Sequence, residues 1–290
     1  MWYLVGDIGG TNARFALADA KRVAFGHVAT LSCVDHKSAV EAIRTYLTMV
    51  GVDKPSGICL AAAGPVIDDA VRVTNNHWAL DAAELHREFA ATQVRLLNDF
   101  EAIACSIPFL SDEDILPVGS QGDIDLGDSD FTITIVGPGT GLGTSGLCRR
   151  DGHYYPVICE GGHIGFAPET DRQLKLLADL RDHLEKVSVE HLVSGPGLEN
   201  VYAALHRLND ERFIALSAEE IFSAGLGGDD PLAKEAVQLF FQIFGQVAGD
   251  IALTHGAADG VYIAGGIVRR YPAALQNSDF RAGYEAKGSH

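Results

Sequence analysis

Two short glycine-rich turns carry the residue types that hold phosphate. Asp7-Ile8-Gly9-Gly10-Thr11-Asn12 follows the apolar run Trp2 to Val5, and Gly137-Pro138-Gly139-Thr140-Gly141-Leu142-Gly143 follows Phe131 to Val136. Each leads into a second extended stretch, Arg14 to Ala18 and Ser145 to Cys148. A strand, a tight Gly/Thr turn and a second strand aim several backbone N–H groups and a threonine hydroxyl at one point, a nest suited to phosphate oxygens. Two copies point to a phosphate chain held from both sides. Asp7, in the first copy, suits Mg²⁺, which proteins hold through one or two carboxylates together with waters and phosphates. Singly, either turn reads equally well as a hairpin that merely needs positive φ.

Three further segments place polar groups where a ligand would need them. Asn98-Asp99-Phe100 closes the apolar run Val94 to Leu97, so a strand end displays a carboxylate at a pocket edge, although Asn-Asp is also common turn chemistry. Glu160-Gly161-Gly162-His163 sets a carboxylate and an imidazole three residues apart around two glycines that let backbone approach a small ligand. The plainer alternative is a surface turn with a solvated Glu and a packed His. A metal centre there needs further ligands at suitable spacing, and the sequence shows none. Glu190, ahead of Ser194-Gly195-Pro196-Gly197, reads by itself as a solvated helix-end carboxylate.

The elements that must position these groups follow from hydrophobic periodicity. Strands are expected at residues 2–6, 13–19 and 22–30, then an amphipathic helix over 37–50 with Val40, Ile43, Leu47 and Val50 on one face, and a strand at 57–63. A helix over 81–91 leads into a strand at 94–97, an α/β pattern with chemistry at a strand end. The acidic, proline-bearing stretch 111–130 reads as a polar connection, which sets a smaller N-terminal α/β domain over 1–110, a hinge near residue 110, and a larger α/β domain over 111–290. Within the latter, Leu192 to Arg207 reads as a helix around a break at 194–197. Asp230-Pro231 starts a long helix whose Val237, Phe240, Phe241, Phe244, Val247, Ile251 and Leu253 make it a buried one. A strand at 261–264 runs into Gly265-Gly266-Ile267.

With 290 residues, 47% of them hydrophobic, the chain can bury two cores. Its net charge of −17, from 22 basic and 39 acidic residues, argues against a nucleic-acid or anionic-membrane surface. Bound phosphate must then be held mainly by backbone dipoles and metal. A strand-like run begins almost at once after Met1 with no secretory pattern, and no run of 18 apolar residues occurs, so the expected compartment is the cytoplasm. Cys33, Cys59, Cys105, Cys148 and Cys159 lack paired CxxC spacing and read as reduced, buried, small apolar residues.

Taken together, the order and spacing of the first glycine turn, Leu97-Asn98-Asp99-Phe100, Gly137 to Gly143, Glu160-Gly161-Gly162-His163 and Ala264-Gly265-Gly266-Ile267 resemble the bacterial glucokinase family, within the actin-like sugar kinases. Thr74-Asn75-Asn76-His77-Trp78 and Val189-Glu190-His191-Leu192-Val193-Ser194-Gly195-Pro196-Gly197 extend the resemblance over nearly the whole chain. It implies a two-lobed actin-like (ribonuclease H-like) α/β sugar kinase fold with duplicated β-hairpin phosphate loops. By resemblance, Asp7, Gly9, Gly10, Thr11 and Asn12 form the first ATP phosphate loop, with Asp7 on the Mg²⁺ side. Gly139, Thr140 and Gly141 form the second, and Gly265 and Gly266 accept the adenosine. Asn98, Asp99, Glu160, His163 and Glu190 look like the set that hydrogen-bonds glucose, with Asp99 as catalytic base, and a homodimer is implied.

The chain departs from the family at Phe280 to His290, where members typically continue through a final strand and a closing helix. Those elements are expected to be missing, and Gly288-Ser289-His290 reads as a cloning remnant. Three alternatives share parts of this pattern. A kinase of the repressor/open-reading-frame/kinase group, acting on fructose, mannose or an N-acetylhexosamine, typically has a cysteine-rich zinc loop after the histidine, and no cysteine follows Cys159 here. A sugar-responsive transcription regulator needs a DNA-binding module and a basic face. A non-catalytic nucleotide-binding protein of the actin or heat-shock type shares the hairpins but not Glu160, His163 and Glu190.

Overall fold

The computed structural model describes residues 2–19, 21–22, 24–119, 126–127 and 129–288. The chain divides into two compact units, Met1–Ile103 and Ala104–His290. The first begins with β1 (Trp2–Ile8), β2 (Asn12–Asp19) and β3 (Ala24–Ser32), followed by α1 (Ala39–Val50) and β4 (Gly57–Ala62). Three short strands, β5 (Val66–Ile67), β6 (Ala70–Arg72) and β7 (Ala79–Asp81), form a small sheet of their own. Then come α2 (Ala82–Phe89), β8 (Gln93–Asn98) and α3 (Asp99–Ser106), within which the division falls.

The main sheet of this unit has the order β3-β2-β1-β4-β8, antiparallel across the two hairpins and parallel from β1 through β4 to β8. Leu4, Ile8, Phe15, Leu17 and Leu60 from its strands pack with Ile43 and Tyr46 of α1 and with Trp78. The buried stripe of α1 is Ala39, Ala42, Ile43, Tyr46 and Leu47, while Val40 and Val50 are only half-buried. Tyr46 therefore centres the face, its hydroxyl donating to His27 O at 2.8 Å, while of the expected stripe Ile43 and Leu47 are buried and Val40 and Val50 pack along its margins. Ser38 caps this helix and Gly51, at φ 68, ends it.

The second unit opens with β9 (Phe131–Pro138), β10 (Leu142–Arg150) and β11 (His153–Ile158). It continues with α4 (Asp171–Arg181), α5 (Gly195–Leu208), α6 (Ala218–Gly227) and α7 (Pro231–His255). β12 (Val261–Ile263) is followed by α8 (Gly266–Arg270), α9 (Pro272–Gln276) and α10 (Phe280–Glu285). Its sheet runs β11-β10-β9-β12, with β9 and β12 parallel, the same arrangement as the first four strands of the other unit. Every residue of β9 is buried. The core gathers on α7, where Phe240, Phe241 and Phe244 meet Phe222, Tyr202 and Phe280. α7 is long and apolar enough to cross a membrane, with mean hydropathy 1.3, but 72% of its most apolar stretch is buried inside the protein, as in a core helix.

Two expectations are corrected here. The helix expected around a break at 194–197 instead starts there: Val189–His191 is a separate single turn, and Ser194 caps α5 by accepting from Gly197 N at 2.9 Å, with Pro196 in its first turn. Of the five cysteines, only Cys33 is fully buried; Cys59, Cys105, Cys148 and Cys159 are half-buried and lie outside the two cores. Within the stretch read as a polar connection, residues 120–125 and 128 lie outside the described residues, as do Val23 of the third expected strand and Ser289 and His290 of the C-terminal motif.

Candidate active site

In the first unit the candidate groups collect at the C-terminal ends of the parallel strands, the edge where open α/β sheets bind ligands. β1 runs into the Gly9–Thr11 turn, which closes with Gly9 N donating to Asn12 O at 3.0 Å. Thr11 is exposed, and Gly9, Gly10 and Asn12 are half-buried. Neither Gly9 nor Gly10 adopts a left-handed φ, so the turn does not need glycine for its dihedrals. Gly10 instead lies close to neighbouring backbone: a Cβ there would lie 3.2 Å from Asn75 O and 3.3 Å from Thr74 O, tighter than an ordinary contact.

Asp7 sits opposite Arg14 in the β1–β2 register, and the Arg14 guanidinium donates to Asp7 Oδ2 at 3.0 Å. Both side chains are more than half exposed, 54% for Asp7, so this pair holds by at most about 1 kcal/mol and leaves the carboxylate available. No group of three or more metal-binding side chains occurs among the described residues. Mg²⁺ needs none: one exposed carboxylate beside a glycine turn fits the chemistry of an ion that keeps several waters.

Asn98 ends β8 and Asp99 opens α3, so the expected loop carboxylate is in fact at a helix N-terminus, where the helix dipole favours negative charge. Asn98 Oδ1 accepts from Phe100 N at 2.9 Å while its Nδ2 donates to Gly64 O at 3.1 Å. Asp99 Oδ1 also accepts from Phe100 N, at 3.0 Å. A pocket of about 370 Å³ opens beside the first turn, lined by Gly10, Thr11, Cys33, Val34, Asn75, Asn76 and His77. A larger one, about 540 Å³, lies at the other ends of the strands against Tyr3, Gly57 and Gln93 and contains none of the expected site residues. The strand-end chemistry favours the smaller.

In the second unit the β9–β10 turn closes with Gly139 N donating to Gly141 O at 2.7 Å, and Gly139 O accepts from Gly195 N, at the start of α5, at 2.8 Å. Thr140 is exposed at its tip. Gly139 and Gly141 likewise avoid the left-handed region. The crowded glycines lie behind the tip: a Cβ on Gly137 would sit 2.3 Å from Ala264 O, and one on Gly265, at φ 95, 2.4 Å from Pro138 O. The Gly265–Gly266 turn thus packs directly on the hairpin and starts α8.

Glu160, Gly161, Gly162 and His163 form a single helical turn laid on β10. Gly161 N donates to Thr144 Oγ1 at 2.8 Å, and a Cβ on Gly162 would lie 2.4 Å from Leu142 O. Glu160 and His163 are exposed, their side chains 3.9 Å apart. A backbone bridge between Gly165 and Ser188, with Val189 N donating to Ile164 O at 3.0 Å, ties this loop to the Val189–His191 turn. Glu190 is therefore not a solvated helix end: its Oε2 accepts from Leu142 N at 2.7 Å and packs against Gly141. The second unit so brings Glu160, His163, Glu190 and the Gly139–Gly141 turn into one assembly, joined behind by Gly265. Sequence reasoning missed the Glu190–Leu142 bond, the Thr144 support and the bond that Asn76 Nδ2 donates to Gly9 O at 3.2 Å. The one local signal was the unexplained polar run at 74–77, since each contact joins residues far apart in the chain.

A family model described as Glucokinase matches residues 4–290. The glucokinase of Chromohalobacter salexigens is 41% identical over 285 residues, 98% of this chain and 88% of that protein. That of Hahella chejuensis is 38% identical over 285 residues, covering 98% and 87%. A solved glucokinase from an Antarctic psychrotroph superposes with a TM-score of 0.87 at 36% identity, covering 99% of this chain and 90% of that one. A ROK family glucokinase from Streptomyces griseus, in complex with glucose and AMPPNP, shares the fold at TM-score 0.61 and 19% identity, covering 98% and 90%.

Proposed function

The chain belongs to the glucokinase family, and from that premise we propose that it transfers the γ-phosphoryl group of ATP to the 6-hydroxyl of D-glucose with Asp99 as the base that takes the hydroxyl proton. The reading is carried by the match over residues 4–290. It is supported by the way the Glu160–His163 loop and the Glu190 turn are bound to each other beside a glycine turn.

Glucose is uncharged, so selection must come from acceptors and donors aimed at single hydroxyls, and a site of that kind strongly rejects an analogue lacking one of them. Asn98, Asp99, Glu160, His163 and Glu190 take this role. Among the described residues only Oε2 of the Glu190 carboxylate is engaged, which leaves Oε1 for a hydroxyl. Phosphoryl transfer asks the protein for positioning and charge stabilisation more than covalent chemistry. In a protein of net charge −17, backbone N–H groups supply much of that. Gly9, Gly10, Thr11 and Asn12 form one phosphate loop and Gly139, Thr140 and Gly141 the duplicate, while Gly265 and Gly266 take the adenosine. Asp7 would hold Mg²⁺, which would supply neutralising charge beside the phosphate oxygens. The protein acts in the cytoplasm as a homodimer, on small molecules and not on nucleic acid or membrane.

The test is ADP release with Mg·ATP, with and without glucose, and with fructose, mannose and N-acetylglucosamine. Release that requires glucose is expected. Asp99→Asn keeps the shape but accepts no proton, so turnover falls by about 10²- to 10⁴-fold while glucose binding changes little. Undiminished turnover in that variant removes Asp99 as the base.

A further inference from the structure

The segment 74–78 has no part in the reading above, yet it is built against the first glycine turn. Its backbone rests on Gly10 through the Thr74 and Asn75 carbonyls, with Asn75 held in the left-handed region at φ 57. Half-buried Asn76 uses both ends of its amide: Oδ1 accepts from Trp78 N at 3.1 Å, and Nδ2 donates to Gly9 O at 3.2 Å. Because one end faces an N–H and the other a carbonyl, the orientation of the amide is fixed by its partners. The support behind it is rigid. Trp78 is 1% exposed, and its Nε1 donates to His36 O at 3.1 Å. Val73 N donates to Trp78 O at 3.1 Å, and Thr74 N to Ala63 O at 2.7 Å beyond the end of β4. Cys33 borders the same carbonyl, its Sγ 3.7 Å from Gly9 O, while its N donates to Thr11 O at 2.8 Å.

In a trans peptide the C=O and the following N–H point in opposite directions. A donor that holds the Gly9 carbonyl on one side of the turn therefore aims the Gly10 N–H to the other. Glycines on both sides of this peptide leave it free to rotate if that donor is lost. We propose that Asn76 is a positioning residue for nucleotide: by holding Gly9 O it fixes the Gly9–Gly10 peptide plane with the Gly10 N–H presented to phosphate. This inference rests on the assignment of the first turn to the phosphates of ATP. It gives the 74–78 segment a purpose that its distance in sequence from the turn conceals.

Asn76→Asp keeps the size and the acceptor for Trp78 N but sets a carboxylate oxygen against Gly9 O; Asn76→Ala removes both bonds. In both, KM for Mg·ATP is expected to rise by about tenfold or more, with Mg·ADP affinity by calorimetry falling by the same factor. KM for glucose should stay within about twofold and thermal unfolding should remain cooperative. If both KM values rise together as the unfolding temperature falls, Asn76 serves only the fold and the inference is overturned. Gly10→Ala, whose Cβ presses on the Asn75 carbonyl, separates this idea from the assignment beneath it. Weakened Mg·ADP in Gly10→Ala with unchanged Mg·ADP in the Asn76 variants leaves the phosphate turn standing and removes Asn76 from it. Unchanged Mg·ADP in all three overturns the phosphate assignment and the inference together.

Discussion

Glu190 Oε2 is held by Leu142 N–H at 2.7 Å, and its other oxygen is the one proposed above to meet the sugar. A charge-assisted bond of this kind contributes about 1.5–3 kcal/mol. Glu190→Gln, which keeps an oxygen for Leu142 N, should raise KM for glucose by about tenfold and leave that for Mg·ATP nearly unchanged. Glu190→Ala should raise both, since the Gly139–Gly141 turn loses its tether. Steady-state kinetics with each substrate varied in turn checks the difference, and equal behaviour of the two variants would remove the tether from the account. Glu160 and His163 were legible as a candidate pair because only two residues separate them. The tie between Glu190 and Leu142 spans 48 positions, and no local pattern signals it.

The elements behind the site depend on a few irreplaceable backbone positions. Gly265 adopts φ 95 and ψ 157, a region nearly closed to other residues, and packs on the Pro138 carbonyl. Gly265→Ala should cost about 1–3 kcal/mol from the dihedral alone and weaken nucleotide binding by displacing the turn, measured by urea unfolding and Mg·ADP calorimetry. Asp230 caps α7 by accepting from Leu232 N and Ala233 N at 2.8 and 3.0 Å, and accepts from the Tyr202 hydroxyl at 2.6 Å. Burial raises the Asp230 carboxyl, but these three donors outweigh it and hold it below the ordinary value; burial and the same pair push Tyr202 up to about 12. Asp230→Ala should cost about 1 kcal/mol for the cap plus about 1–3 kcal/mol for the orphaned hydroxyl. At the other end of α7, His255 contacts Thr134 of β9, and burial lowers its pKa. The unfolded chain then binds the proton more readily, so the stability from neutral His255 is complete above about pH 6.5 and is lost as pH falls below it. His255→Gln should flatten the dependence of urea midpoint on pH between about 5 and 7. Asp230 adds its loss only further down, through the carboxylate range.

At the scale of the whole molecule, 39 acidic residues against 22 basic ones make self-repulsion general, so moderate salt should raise the unfolding temperature. Ligands should raise it further by mass action, glucose or Mg·ATP at 100 times its dissociation constant contributing about 2.7 kcal/mol. The sequence by itself determined what is local or periodic. Alternating and apolar runs set β1, β4, β8 and β9 to within about two residues, and Asp230-Pro231 marked the start of α7. Only the tertiary structure decided what long-range packing supplies. It centred the buried face of α1 on Tyr46, turned the 194–197 break into the start of α5, and set Asp99 at a helix N-terminus. It showed Gly137 and Gly141 to be crowded by the Ala264 carbonyl and the Glu190 carboxylate without adopting positive φ, and it carried Asn76 across 67 positions to the Gly9 carbonyl. The physical reason is that periodicity records which side of an element faces a core, whereas a hydrogen bond between distant loops leaves no period and exists only once both loops are held by the sheets beneath them.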